Sequence, residues 1–189
     1  MNIDCDIDRY INEVLGSSEY RGVFEDLVVI DVGCNIGAFA FWIYPLVKSL
    51  YCLDISEVNI NHLNKTCEEG GLNKIKTYFA GISGTGGRRK YKTSTDAGMG
   101  GWSLSEEGTF EVGTYSLREF IDMEKIDYVD ILKLDIEGGE YEVLNKDFPT
   151  DKITTIVGEY HGEPPKEQFD LLGYRYFELP GKRFVARRK

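Results

Sequence analysis

Hydrophobic positions along this chain come in short runs separated by polar, helix-patterned stretches. Residues 27–31 form the first run, ending at Asp31. Comparable runs at 49–54, 75–79, 130–134 and 154–160 predict four more strands. Short apolar runs bounded by turn residues suit strands covered on both faces. Between them, residues 37–47 predict a helix with Pro45 near its end, where a proline stops or kinks it. Ser56 predicts the cap of a second helix, which runs to about Cys67 and stops at Gly70-Gly71. Shorter helices are predicted at 117–123, from Gly138-Gly139 through Leu144, and after Pro164-Pro165. At the front, Ile7, Ile11, Val14 and Leu15 have helical spacing and predict a helical cap over residues 1–26.

Alternating strands and helices predict an α/β sheet with helices on both faces. Residues 174–179 and 183–187 predict an antiparallel hairpin around Pro180-Gly181, at the edge of that sheet. The stretch 84–113 differs, being rich in glycine, threonine and serine. Within it, 88–93 and 109–113 predict two paired strands, joined by a glycine-rich loop that carries Trp102. That loop has two readings: a lid whose aromatic walls off a site, or a surface loop with Trp102 tucked into a groove. The length, 189 residues, predicts one domain.

Composition narrows the class. A hydrophobic content of 42% with 29% charged residues is that of a soluble globular protein. The net charge of −10 weighs against nucleic-acid phosphates and anionic lipid as partners. Arg88, Arg89, Lys90 and Lys92 make one basic run, either a solvated strand face or an acceptor-binding patch. No apolar run reaches membrane-spanning length, and the start M-N-I-D-C-D lacks the basic and apolar regions of a secretory leader. None of the four cysteines (Cys5, Cys34, Cys52, Cys67) forms a C-x-x-C pair, and Cys52 sits in a strand pattern as a core residue. A reduced, cytoplasmic setting is expected.

The chemistry concentrates at predicted strand ends. Gly33 and Gly37 follow Asp31, so a strand, a tight glycine turn and a helix start come in sequence. Asp54 lies 21 residues after Gly33, where an acidic side chain accepts hydrogen bonds from a ribose. The spacing G-x-x-x-G, with Asn35 in the middle, is not the G-x-G-x-x-G of dinucleotide binders, and no Walker lysine follows. Asp135, Glu137, Glu159 and His161 also fall at or just past strand ends, where ligands lie in such sheets. His161 is the first candidate general base, its other reading being structural; Asp135 and Glu137 are alternative bases. Lys133 is read as a buried ion-pair partner, and Glu140 and Glu142 as acidic groups favouring a helix N-terminus. Asp135, Glu159 and His161 are also a candidate Mg²⁺ or Mn²⁺ site. His62 is given no role.

D-V-G-C-N-I-G over residues 31–37 resembles the first motif of class I S-adenosylmethionine-dependent methyltransferases. L-K-L-D-I-E-G-G-E over 132–140 resembles a signature of the FkbM family within that class. Thr114, Ser116 and Leu117, and the E-x-H ending at His161, extend the resemblance over about residues 27–186. It implies a Rossmann-like doubly wound seven-stranded sheet, mostly parallel, with an antiparallel C-terminal strand. It further implies methyl transfer from S-adenosylmethionine to a hydroxyl oxygen of a small-molecule or sugar-containing acceptor. On that mapping the backbone of Gly33, Cys34, Asn35 and Gly37 faces the methionine part, and Asp31 orders the turn. Asp54 takes the ribose diol, and Ala80 and Gly81 line the adenine pocket. Many relatives carry more sequence before the first motif, so acceptor recognition is either reduced here or handled by residues 84–113. Two other classes stay open: a non-catalytic adenosine-cofactor-binding scaffold, and a nicotinamide-dependent oxidoreductase, which the glycine spacing disfavours.

Overall fold

The computed structural model describes residues 26–93 and 102–189. The predicted N-terminal cap and the centre of the predicted lid therefore lie outside the described residues, as does the Trp102 side chain. Strand β1 (Leu27–Val32) leads into helix α1 (Ala38–Ile43) and a 3₁₀ turn over Tyr44–Leu46. The predicted helix over 37–47 is thus shorter than its pattern, because Pro45 enters the 3₁₀ turn and strand β2 (Val47–Asp54) begins at once. Helix α2 (Glu57–Gly70) starts at Ser56, whose side chain accepts from Asn59 N, and ends at Gly71 in the left-handed conformation. Strand β3 (Ile75–Phe79) follows.

The expected small-residue turn over 80–84 is instead partly extended. It contains strand β4 (Gly81–Ile82), which pairs with β7 (Phe110–Tyr115). Strand β5 (Gly87–Thr93) pairs antiparallel with β7, as the sequence predicts, and also with β6 (Trp102–Leu104), which the sequence does not announce. These make a second sheet of order β4-β7-β5-β6. Helix α3 (Leu117–Met123) opens with a capping box between Ser116 and Glu119. Strand β8 (Val129–Leu134), helix α4 (Glu140–Val143), strand β9 (Ile153–Glu159), helix α5 (Lys166–Leu171) and the hairpin β10 (Tyr174–Leu179) and β11 (Arg183–Arg188) complete the chain.

The main sheet has seven strands in the order β10-β11-β9-β8-β1-β2-β3. Every neighbouring pair is parallel except those that include β11, so only the last strand runs against the rest. Alternate residues of each strand face opposite sides. Ile30, Leu132 and Ile156 join Phe120 and Phe169 in one core, while Val29, Ile131 and Val157 join Phe39, Ile43 and Leu63 in the other. Helices therefore cover both faces, which is the doubly wound arrangement. Strand order reverses between β1 and β8, and a crevice opens beyond their C-terminal ends.

Candidate functional site

The turn after β1 is set by backbone constraints. Gly33 has φ +77°, and its N–H donates to Leu53 O at 2.9 Å. A Cβ at Gly33 would stand 1.8 Å from Asp135 O, so only glycine lets the first turn lie against the loop after β8. Asn35 follows in the left-handed region with φ +51°, and its N–H donates to Asp54 Oδ2 at 2.8 Å. Asp54 Oδ1 accepts from Ser56 N at 2.8 Å. One carboxylate thus joins the glycine turn to the start of α2. Burial pushes the Asp54 carboxyl up, while the Ser56 and Asn35 amides oppose that shift.

An open pocket of about 700 Å³, its mouth included, lies over this turn. Gly33 and Asn35 line it from the turn, Asp54 from the end of β2, and Ala80 and Gly81 from beyond β3. Asp135, Ile136, Glu137 and Gly139 close the side next to β8. Leu104 of β6 also lines it, so the second sheet supplies part of the wall. Sequence reasoning missed Leu104; its signal is the alternation of Trp102 and Leu104 with serines. Asp31, Cys34, Gly37, Glu159 and His161 are not among the lining residues. Cys34 is buried in the core beside α1 and α2, and a Cβ at Gly37 would meet Leu63 Cδ1 at 2.5 Å.

Asp31 is wholly buried beneath the turn, directly across the β1–β8 ladder from Lys133. Lys133 Nζ lies 3.0 Å from Asp31 Oδ1 and 3.8 Å from Asp135 Oδ2, and donates to Gly33 O at 3.1 Å. It also sits 5.9 Å from the centre of the Phe39 ring. Burial alone would lower the Lys133 ammonium, but Asp31 and Asp135 outweigh it and hold its pKa raised. Burial pushes the Asp31 carboxyl up, with Lys133 opposing. The ion pair predicted for Lys133 is therefore present, and it reaches the backbone of the turn.

His161, just past β9, meets the loop after β8. Its Nδ1 is 3.1 Å from Glu140 Oε1 and its Nε2 is 3.4 Å from Glu137 Oε2. Asp135, Glu159 and His161 each place one ligand atom within 4.8 Å of the others, so the candidate divalent-ion triad is a spatial group. Burial first, and then the Asp135 carboxylate, push the Glu159 carboxyl above its ordinary value.

The two acidic residues assigned to the α4 N-terminus do more than face a dipole. Glu140 is fully buried and accepts from Ile136 N at 3.0 Å and Gly138 N at 3.1 Å. Glu142 pairs with Arg89 of β5 at 2.8 Å. The basic run of β5 is engaged further, since Arg88 pairs with Glu111. The Arg88 pair lies within the second sheet, and the Arg89 pair ties that sheet to helix α4, which follows the pocket-lining loop.

Residues 26–182 match the family model described as Methyltransferase FkbM domain. A similar protein is the hexuronic acid methyltransferase AglP of Haloferax volcanii, 27% identical over 150 residues, which cover 78% of this chain and 62% of AglP. The methyltransferase FkbM structure from Methylobacillus flagellatus KT superposes with a TM-score of 0.56 at 15% identity, covering 95% of this chain and 50% of that one. An rRNA methylase from Streptococcus thermophilus gives 0.54 at 10% identity, covering 100% and 98%. At these identities the two structures show the fold alone. The chain spans 62% of the length of AglP and half that of the FkbM structure.

Proposed function

The chain belongs to the FkbM methyltransferase family, and from that premise we propose that it transfers the methyl group of S-adenosylmethionine to a hydroxyl oxygen of a small-molecule or sugar-containing acceptor. The observation that carries this reading is the pocket at the sheet's switch point, where the Gly33 turn, Asp54 and the Asp135–Glu137 loop converge. The residues fit the cofactor. Asn35 lines the pocket, and its Oδ1 has no hydrogen-bond partner among the described residues. In this reading Asp54 accepts from a ribose diol, Ala80 and Gly81 line an adenine, and the backbone of Gly33 and Asn35 follows the methionine part, with Cys34 and Gly37 shaping the turn from outside the pocket lining. Asp31 acts from beneath, by holding Lys133 against the turn. A sugar-containing acceptor is supported by AglP, whose name gives a hexuronic acid as its substrate. A net charge of −10 weighs against a nucleic-acid acceptor. In this reading the 189 residues act as one domain, with residues 84–113 on the acceptor side.

S-adenosylmethionine supplies an activated methyl, so the protein's tasks are alignment and removal of the hydroxyl proton. His161 is the base in this reading, with Asp135 and Glu137 beside it. Asp54→Ala is expected to weaken S-adenosylhomocysteine binding about tenfold or more, the scale of a lost hydrogen bond to a charged group. Calorimetric titration checks it; equal affinity in the variant sinks the ribose assignment. His161→Ala is expected to lower turnover about 10²–10⁴-fold while keeping product affinity. Near-normal turnover in that variant refutes the base.

One observation favours a second reading of the same site. The Asp135, Glu159 and His161 group has the hard oxygen and imidazole ligands that Mg²⁺ or Mn²⁺ takes, and such an ion would lower the acceptor hydroxyl's pKa. Activity surviving EDTA treatment eliminates this reading, and activity restored by added Mg²⁺ supports it.

A further inference from the structure

Glu140 is a wholly buried carboxylate that lines neither the pocket nor its mouth. Its surroundings settle its hydrogen-bonding role. Ile136 N donates to Oε1 at 3.0 Å, and Gly138 N donates to Oε2 at 3.1 Å. Both donors belong to a loop with two consecutive left-handed residues, Glu137 at φ +53° and Gly138 at φ +98°. Having drawn that loop together, the carboxylate presents Oε1 to a third group, Nδ1 of His161, at 3.1 Å. Both Glu140 oxygens already accept from backbone N–H groups, so Oε1 meets Nδ1 as an acceptor. That places the neutral imidazole's hydrogen on Nδ1 rather than on Nε2, whose contact with Glu137 is the longer of the two at 3.4 Å.

We propose that Glu140 is a positioning residue for His161, fixing the ring's orientation and tautomer so that Nε2 is the free proton acceptor. The proposal rests on reading His161 as the base. The proton step is balanced within the site. The acceptor's O–H bond breaks, its electron pair stays on oxygen, and the proton bonds to Nε2. The resulting imidazolium faces Glu140 on one side and Glu137, 3.4 Å from Nε2, on the other. A buried carboxylate behind the ring stabilises that cation and prevents the ring from turning its N–H toward the acceptor. The His161 side chain is 30% exposed, and Glu137, on its Nε2 side, is 42% exposed and lines the pocket. The same carboxylate thus serves two elements: the loop that lines the pocket and the histidine that follows β9.

Long-range proton–nitrogen NMR of the histidine rings tests this, because it reads tautomers directly and needs neither acceptor nor cofactor. The chain has two histidines, and a His62→Gln variant assigns the pair. At about pH 9, well above the ordinary histidine pKa, His161 in the wild type is expected in the Nδ1–H form. In Glu140→Gln the Nδ1–H to Nε2–H ratio is expected to fall about tenfold or more, the size of a lost charge-assisted hydrogen bond. An Nε2–H ring in the wild type overturns the proposal, and this reading stands even if the variant does not fold. An unchanged ratio in a folded variant also overturns it. Failure of the base reading is seen separately, as undiminished turnover in His161→Ala, with the wild-type tautomer unaffected by that outcome.

Discussion

Gly33→Ala is expected to abolish S-adenosylhomocysteine binding and to destabilise the fold by about 3 kcal/mol or more, the range of mutations that force a backbone collision. The added Cβ would stand 1.8 Å from Asp135 O and 2.9 Å from Asp135 C. Those atoms cannot retreat cheaply, because Asp135 N donates to Val32 O at 3.2 Å and so belongs to the β1–β8 ladder. Nor can the turn lift away, since Gly33 N and Cys34 N both donate to Leu53 O. The positive φ of +77° adds strain of its own, about 1–2 kcal/mol for a residue with a Cβ. Gly71→Ala separates the two effects. Gly71 also has a positive φ, +65°, but a Cβ there meets nothing within 4 Å. That variant is expected to lose only the strain, about 1–2 kcal/mol, and to bind the product normally. Urea unfolding and calorimetry on the two variants check both statements. Equal losses in the two would mean that the conformation, and not the contact with Asp135, makes glycine necessary at position 33.

Why this turn was legible in the sequence, and other parts of the site were not, follows from the range of the interactions. The Gly33–Gly37 spacing, the Ser56 cap and the Gly71 helix stop act over a few residues, so local chemistry is enough to place them. The α/β class followed from alternation of apolar runs with helical stretches, the seven-stranded doubly wound sheet from the family resemblance, and the tail hairpin from Pro180-Gly181 between two strand patterns. Long-range pairings left weaker traces. Strand β6 is three residues long and pairs with β5 across a glycine-rich stretch, so the brief alternation of Trp102 and Leu104 with serines was too short a signal to show that Leu104 would wall the pocket. Glu140 and Glu142 looked alike, as acidic residues at the start of a helix. One bonds a histidine 21 positions on, and the other an arginine 53 positions back. Helix propensity and dipole arguments cannot distinguish them, because the difference lies in what tertiary structure brings alongside.

Lys133→Met is expected to destabilise the protein by about 3–5 kcal/mol, the cost of leaving a buried charge without its partner. Asp31 is 0% exposed, and neither of its oxygens has a conventional hydrogen bond among the described residues. The Lys133 ammonium at 3.0 Å is its compensation. Methionine fills the space and keeps the contact with Phe39, so the loss comes from the charge and not from a cavity. The effect extends to the pocket, because the same ammonium donates to Gly33 O. Product affinity should therefore fall as well, although Lys133 does not line the site. The double variant Asp31→Asn/Lys133→Met removes both charges and is expected to be more stable than Lys133→Met alone, by about 1–2 kcal/mol. Urea unfolding of the wild type, Asp31→Asn, Lys133→Met and the double variant gives the coupling directly. A double variant that loses the sum of the single losses would show that Asp31 does not depend on Lys133. Raising the salt to about 1 M should leave the coupling nearly unchanged, since buried pairs are screened far less than surface ones. If the coupling holds but the double variant still binds product poorly, the Lys133 bond to Gly33 O is the part of the pair that serves the cofactor turn, and the Asp31 charge is there to keep the lysine in place.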